Sequence, residues 1–467
     1  PAIADLSLSL SPPRVAFMES PARTFSVLIA ILLLSPIAAL EYPQESVNKL
    51  YPHLMSNANG ISPAPNPQPR APALFVIGDS SVDCGTNNFL GTFARADRPP
   101  YGRDFDTGQP TGRFCNGRIP VDFIALELGL PFVPSYLGQS GSVNDMIRGV
   151  NYASAGAGII FSSGSELGQH ISLSQQMQQV MDTFQLFILS MGEDAAYGLI
   201  SNSIFYISIG SNDFIHYYLR NASNVQSLYL PWRFNQFLAQ TMKLEIQNLY
   251  NANVRNVVVM GLAPLGCAPY YLWLYQSKTG QCIETINDMI LEFNFAMRFM
   301  VEELNRKLLD ANIIFCDALE GSMDIIKNHN RYGEKSCSSI LRSINTSLSC
   351  AFIIRLAPGF NVTTDACCGL GMYRGWIMCI SPDMACNNAS SHIWWDQFHP
   401  THAVNEILAD NVWSSRHTSM CYPMNLQELI AQNAKNNSRE KRIELDNLSY
   451  HVYTVFMSCS LLELNEV

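Results

Sequence analysis

Charge is the scarcest ingredient of this sequence. Asp, Glu, Lys and Arg supply 15% of its 467 residues and apolar residues 48%, which excludes a disordered or coiled-coil chain. The charge present leans acidic, Lys+Arg 29 against Asp+Glu 39 for a net −10, and no basic run offsets it. Nucleic acid is therefore not an expected partner. Long apolar runs are missing as well. The strongest, residues 25–34, falls short of the ~20 residues a membrane span requires. Three motifs are absent. Without Cys-x-x-Cys there is no zinc-ribbon pair, and the adjacent Cys367-Cys368 has poor geometry for zinc. Without Gly-x-Ser-x-Gly there is no ordinary α/β-hydrolase elbow. Without G-x-G-x-x-G after the first strand there is no dinucleotide fingerprint.

What is present suits export. The 13 cysteines fit a secreted globular protein with several bridges, and the odd count leaves a thiol over. The first methionine is Met18. Arg23, the apolar run and the small residues ending at Ala39 read as a secretory signal over residues 18–39, an uncleaved anchor being the alternative. Residues 1–17 then form a leader, and 40–72 a linker that turns Pro-rich at ISPAPNPQPRAP. One domain is expected over residues 73–426, and 427–467 form a tail of uncertain structure.

Within that domain, short apolar runs alternate with helical periodicity. Strands are expected at residues 73–77, 149–153, 204–209, 256–260 and 312–316. Helices are expected at 120–128, 173–191, 232–250, 284–309 and 403–413. Strand then helix, five times over, predicts an α/β fold, a five-stranded parallel sheet covered on both faces. Ligands of such sheets bind at the carboxyl ends of the strands. Three of those ends are small and polar: Gly78-Asp79-Ser80, Ser154 to Gly158, and Gly210-Ser211-Asn212-Asp213.

Ser80 is a candidate nucleophile if a base reaches it, and otherwise a helix cap or turn residue. A base is available in Trp395-Asp396-Gln397-Phe398-His399-Pro400. Asp396 and His399 are three apart, so one helical turn would point both the same way. The carboxylate could then hold Nδ1–H and leave Nε2 to take a proton from a hydroxyl. Alternatives remain: Asp396 as a cap with a surface His399, or a zinc site of Asp396, His399 and His402, which Pro400 disfavours.

These residues resemble a known family. Phe75-Val76-Ile77-Gly78-Asp79-Ser80-Ser81-Val82-Asp83 with Gly85 and Asn87-Asn88 is similar to the first block of plant GDSL-type esterase/lipases, in the SGNH hydrolase superfamily. The later blocks follow in order: Gly149 to Gly156, Gly210-Ser211-Asn212-Asp213, and Trp395 to Thr401. The likeness spans about residues 71–426. It implies a three-layer, flavodoxin-like α/β/α fold. It also implies a serine ester hydrolase that forms an acyl-enzyme, with Ser80 as nucleophile, His399 as base and Asp396 orienting the histidine. The backbone N–H groups of Ser80 and Gly156 and the side chain of Asn212 would form the oxyanion hole. No cofactor or metal is implied. The implied partner is a small-molecule, lipid or polysaccharide acyl ester, met outside the cell. Rival readings are an acyltransferase using the same site, or a catalytically silent secreted lipid- or glycan-binding protein.

The sequence departs from the family pattern in places. Ser81 replaces a leucine. Cys84 and Cys115 stand where bridging is conceivable. Residues 334–359 interrupt a run that would otherwise join Gly333 to Phe360, and are read as a foreign insertion, with a surface loop or lid as the alternative. Setting aside Cys337, Cys350 and Cys459 leaves an even set of cysteines, in which Cys267–Cys282 and pairings of Cys367 or Cys368 with Cys379 or Cys386 are plausible. Sequons at Asn221, Asn361 and Asn388 suit a glycoprotein.

Overall fold

The computed structural model describes residues 68–332 and 359–435. The expected leader and signal, nearly all of the linker, residues 334–358 of the insertion and the end of the tail lie outside the described residues. In chain order the main elements are β1 (Leu74–Gly78), α1 (Pro120–Leu128), α2 (Leu173–Met191), α3 (Glu193–Asn202), β2 (Ile204–Ser208), α4 (Pro231–Asn251), β3 (Asn256–Met260), α5 (Glu284–Lys307), β4 (Asn312–Cys316), α6 (Ala318–Lys327), β5 (Val362–Ala366), β6 (His392–Trp394), α7 (His402–Ser414) and β7 (Cys421–Tyr422).

The main sheet runs β1-β2-β3-β4-β7, the first four strands parallel. β1 and β3 are buried at every residue, as a sheet covered on both faces requires. Helices α4 and α5 pack on each other, as do α1 with α7 and α6 with α7. Phe75 of β1 stacks on Phe205 of β2 at 4.9 Å, with Phe184 and Phe187 of α2 closing over them. Each such burial contributes about 1.5–3 kcal/mol. The helix ends are specified locally. Ser172 and Gln175 form a capping box on α2, and Asp317 accepts from Leu319 and Glu320 at the start of α6.

The sheet differs from the expected five parallel strands at both edges. Residues 149–153 form no regular strand, although they run beside β1. Val76 N donates to Val150 O at 2.9 Å, Tyr152 N to Val76 O at 2.8 Å, and Ser154 N to Gly78 O at 3.1 Å. The segment is bent at Gly149, which has φ +127 and packs against the Leu74 carbonyl so closely that a Cβ would lie 1.9 Å from its oxygen. At the other edge the fifth strand is β7, two residues long, antiparallel to β4 and tied to it by Cys316–Cys421. Two residues are too few to show a period.

A smaller lobe grows from β5 and β6, which pair parallel. Cys367–Cys386 and Cys368–Cys379 staple it, and Cys267–Cys282 closes a loop after β3. The conceivable Cys84–Cys115 bridge does not form. Both thiols are buried and free: Cys84 donates to Val133 O at 3.2 Å, while Cys115 accepts from Gly117 N and Asn405 Nδ2. The folded chain also outlasts residue 426. Residues 426–435 are helical, Leu426 and Leu429 are buried, and Asn433 Nδ2 donates to Asn256 Oδ1 at 2.9 Å. Among the described residues no helix is long and apolar enough to cross a membrane.

Candidate active site

β1 ends at Gly78, where nothing larger than glycine fits. A Cβ there would lie 2.4 Å from both Ser208 O and Val82 Cγ2. Gln176 of α2 clamps the same residue, accepting from Gly78 N and donating to Gly78 O, each at 2.8 Å. The next turn is tight: Val82 N and Asp83 N both donate to Asp79 O, and Asp79 Oδ1 accepts from Ser81 N at 2.9 Å. Ser80, partly exposed, projects from this turn.

His399 Nε2 lies 2.8 Å from Ser80 Oγ, across a sequence separation of 319 residues. Its Nδ1 lies 2.8 Å from Asp396 Oδ1 and 3.0 Å from Oδ2. One neutral tautomer satisfies both ends: Nδ1–H donates to the carboxylate and Nε2 accepts from the serine hydroxyl. The Asp-x-x-His segment is not the helical turn the spacing suggested. It is the turn between β6 and α7, closed by Trp395 N donating to His399 O at 2.7 Å. Asp396 Oδ1 shapes it by accepting from Phe398 N at 3.0 Å and His399 N at 2.9 Å. Burial raises the Asp396 pKa. The neighbouring imidazole and these donors outweigh that and hold the carboxyl below its usual value.

Around Ser80 Oγ the strand ends supply donors. The N–H groups of Asp79, Ser81, Ala155 and Ala157 all bond to protein oxygens, whereas those of Ser80 and Gly156 bond to none among the described residues. Gly156 sits at φ +90, which a side chain would strain. Asn212, buried, donates one Nδ2 hydrogen to Ala157 O at 2.8 Å and keeps the second. The three expected segments therefore converge.

Two buried carboxylates strap the Gly156 loop to its neighbours. Asp83 accepts from Gly85, Thr86 and Ala155 N–H at 2.8, 2.7 and 3.0 Å. Asp213 accepts from Ile159 and Ile160 N–H at 2.7 and 2.8 Å and from Ser163 Oγ at 2.7 Å. Burial pushes each carboxyl up to about 6, against the pull of those donors. Asn87 adds a further tie, donating to Ala155 O and accepting from Ser154 Oγ.

The metal alternative does not assemble. His402 Nδ1 accepts from Arg118 N at 2.9 Å, and among the described residues no three His, Cys, Asp or Glu side chains gather around one point. Asn221, Asn361 and Asn388 are all exposed.

Residues 74–412 match the family model of GDSL-like lipase/acylhydrolases. The chain belongs to that family. Curated GDSL relatives agree over most of their length. GDSL esterase/lipase At1g71691 of Arabidopsis thaliana is 37% identical over 363 residues, which is 78% of this chain and 86% of the relative. GDSL esterase/lipase 7 of Arabidopsis thaliana is 36% identical over 366 residues, 78% and 93% of the two chains. As a GDSL family member the protein is a carboxylic ester hydrolase with an α/β fold. Several polar residues of the site escaped the sequence reading, among them Asp83, Asp213, Gln176 and Tyr101. Asp83 and Asp213 lie inside the GDSL motifs already singled out, so position was a signal. Gln176 is one more polar residue on a helix, and Tyr101 lies in Pro100-Tyr101-Gly102, a stretch the family resemblance marks without indicating a role.

Proposed function

We propose that this GDSL protein is a secreted serine hydrolase that cleaves acyl esters through a covalent acyl-enzyme. The observation that carries this reading is the unbroken chain Ser80 Oγ–His399–Asp396, with contacts of 2.8 Å on both sides of the imidazole. His399 Nε2 takes the Ser80 proton as Oγ attacks the ester carbonyl carbon. The carbonyl oxygen becomes an oxyanion, met by the N–H groups of Ser80 and Gly156 and the spare amide hydrogen of Asn212. Collapse of this intermediate breaks the ester C–O bond, and His399 returns its proton to the leaving alcohol. Water, deprotonated by His399, then attacks the acyl-serine and frees the acid and Ser80. Asp396 stays ionised throughout and holds Nδ1–H. This chemistry calls on no cofactor.

Secretion is supported by the signal-like residues 18–39, by the disulfides and by the exposed sequons. Residues 334–359 are proposed as dispensable for the reaction. The test is hydrolysis of p-nitrophenyl acetate and butyrate by the purified protein. Ser80→Ala should abolish it, and a fluorophosphonate should phosphonylate Ser80 Oγ with loss of HF, adding the reagent's mass less HF to the wild type alone. Hydrolysis that persists in Ser80→Ala would overturn the assignment.

A further inference from the structure

The catalytic carboxylate has a partner outside its own turn. Asp396 Oδ2 accepts from the hydroxyl of Tyr101 at 2.7 Å, from 295 residues earlier in the chain. Oδ1 is already occupied by the Phe398 and His399 backbone N–H groups, and His399 Nδ1–H faces both oxygens. The tyrosine is buried. Its ring meets Trp395 and Phe114 edge-on, each at 6.0 Å, and Phe114 lies 5.1 Å from the His399 ring. Burial, and then the charge of Asp396, push the phenol well above its usual pKa, so it remains a donor at any working pH.

We propose that Tyr101 is a positioning residue for the base: its hydroxyl fixes the plane of the Asp396 carboxylate and draws charge away from His399. The proposal rests on the triad reading above. The last torsion of an aspartate is soft, so a carboxylate held at one oxygen alone can swing. Donors at both oxygens fix the direction in which the carboxylate meets Nδ1–H. A hydrogen bond to a carboxylate is also about twice as strong as a neutral one, and it withdraws charge from the oxygen that accepts it. Tyr101 thus tempers how strongly Asp396 favours the charged imidazole. Other groups bear on the same pair and remain in place when Tyr101 is changed. Asp79 lies within electrostatic reach of His399, the Cys115 thiol of Asp396 and Arg98 of the phenol, and Arg103 stacks on Trp395 at 5.1 Å.

Tyr101→Phe removes one oxygen and keeps the ring. It should lower kcat for p-nitrophenyl butyrate about tenfold with KM nearly unchanged, because a buried carboxylate oxygen loses its donor. It should also move the acid limb of kcat/KM to higher pH, since the less solvated carboxylate favours imidazolium more. The downfield proton resonance of His399 Nδ1–H should shift with it. Replacing Tyr101 by 2,3-difluorotyrosine guards against a folding defect. The ring still packs, the more acidic hydroxyl donates more strongly, and the acid limb should move to lower pH. Overlapping pH profiles, or both variants moving the limb the same way, would overturn the role of Tyr101. They would leave the triad standing as long as Ser80→Ala is dead, whereas an active Ser80→Ala would remove the triad first.

Discussion

On one side of the site, Ser80, Gly156 and Asn212 sit where regular or near-regular parallel chain ends. Their loops are tied by Gln176, Asn87, Asp83 and Asp213. On the other side, Asp396 and His399 occupy an irregular turn of a lobe stapled by Cys367–Cys386 and Cys368–Cys379, and wedged by Tyr101, Phe114 and Trp395. The sheet delivers the side proposed to hold the oxyanion, hereafter the oxyanion side, by its own periodicity. The base side needs covalent staples and aromatic packing to bring a histidine across the chain. Carboxylates record the same contrast. Burial pushes Asp83 and Asp213 up to about 6, whereas the imidazole beside Asp396 keeps that group below its usual value. On the oxyanion side a carboxylate serves as an acceptor for backbone N–H groups. On the base side it accepts backbone N–H groups as well and, in addition, faces an imidazole.

Breaking each side in turn gives the largest effects. Asp396→Asn keeps the turn's shape but disrupts the tautomer that His399 needs, so kcat should fall about 10⁴-fold at neutral pH. Asn212→Ala removes one donor to the oxyanion and leaves two, so kcat should fall about 10²–10³-fold with KM little changed. Kinetics on one soluble ester, with circular dichroism to confirm folding, rank the two. Equal losses would mean that charge on the base side and donation on the oxyanion side are not separable.

The same contrast predicts a stability profile. Asp83 and Asp213 have folded-state pKa values near 6, above the 3.8 of a free aspartate. Between those values the folded chain holds protons that the unfolded chain has released. Stability from this source is therefore greatest below about pH 4, and it declines as pH rises to about 6. Each group contributes at most about 1.4 kcal/mol per pH unit. Carboxyls held low, such as Asp396 and Asp324, act with the opposite sign, but below that window. Tm should accordingly be higher at pH 5 than at pH 7, and Asp213→Asn should flatten the difference. Burial lowers the pKa of His392 and His402, which therefore act with the opposite sign below about pH 6.5, so the Asp213→Asn comparison decides: an unchanged pH dependence of Tm would show that this strap carries no such proton.

The two sides also differed in how far the sequence revealed them. Helices α1 and α2 lie over the ranges their periodicity indicated, and the three strand-end loops converge as the rule for parallel sheets requires. Those signals are local and repeat along the chain. The pairing of Asp396 with His399 was legible from spacing, but its geometry was not. A turn that closes through an aspartate's own carboxylate has the same spacing as a helical turn. Tyr101 was legible only as part of a family mark, Pro100-Tyr101-Gly102, and its role was not, because nothing nearby in sequence distinguishes a core tyrosine from one that reaches a carboxylate 295 residues away. The two-residue β7 and the choice among cysteine partners failed for a related reason. Both depend on which distant segments meet, and periodicity carries no record of that.

The smallest effect should come where the irregular side is interrupted. Residues 334–359 enter just before β5, at the root of the base-side lobe. The chain on either side already meets: Phe360 N donates to His329 O at 3.2 Å, and the His329 ring bonds back to Phe360 O at 2.6 Å. Phe360 is buried, and Tyr332 rests its ring 5.5 Å from His417, so both flanks have their own anchors. Loop-closure entropy changes by only about 0.6 kcal/mol per doubling of loop length, so shortening this connection has little thermodynamic consequence. Joining Gly333 directly to Phe360 should leave kcat/KM within about twofold of the full chain, and should leave the pH profile unchanged. The measurement is side-by-side p-nitrophenyl ester kinetics on the two secreted proteins. A loss comparable to that of Asn212→Ala would make the segment part of the base side's support rather than an interruption of it.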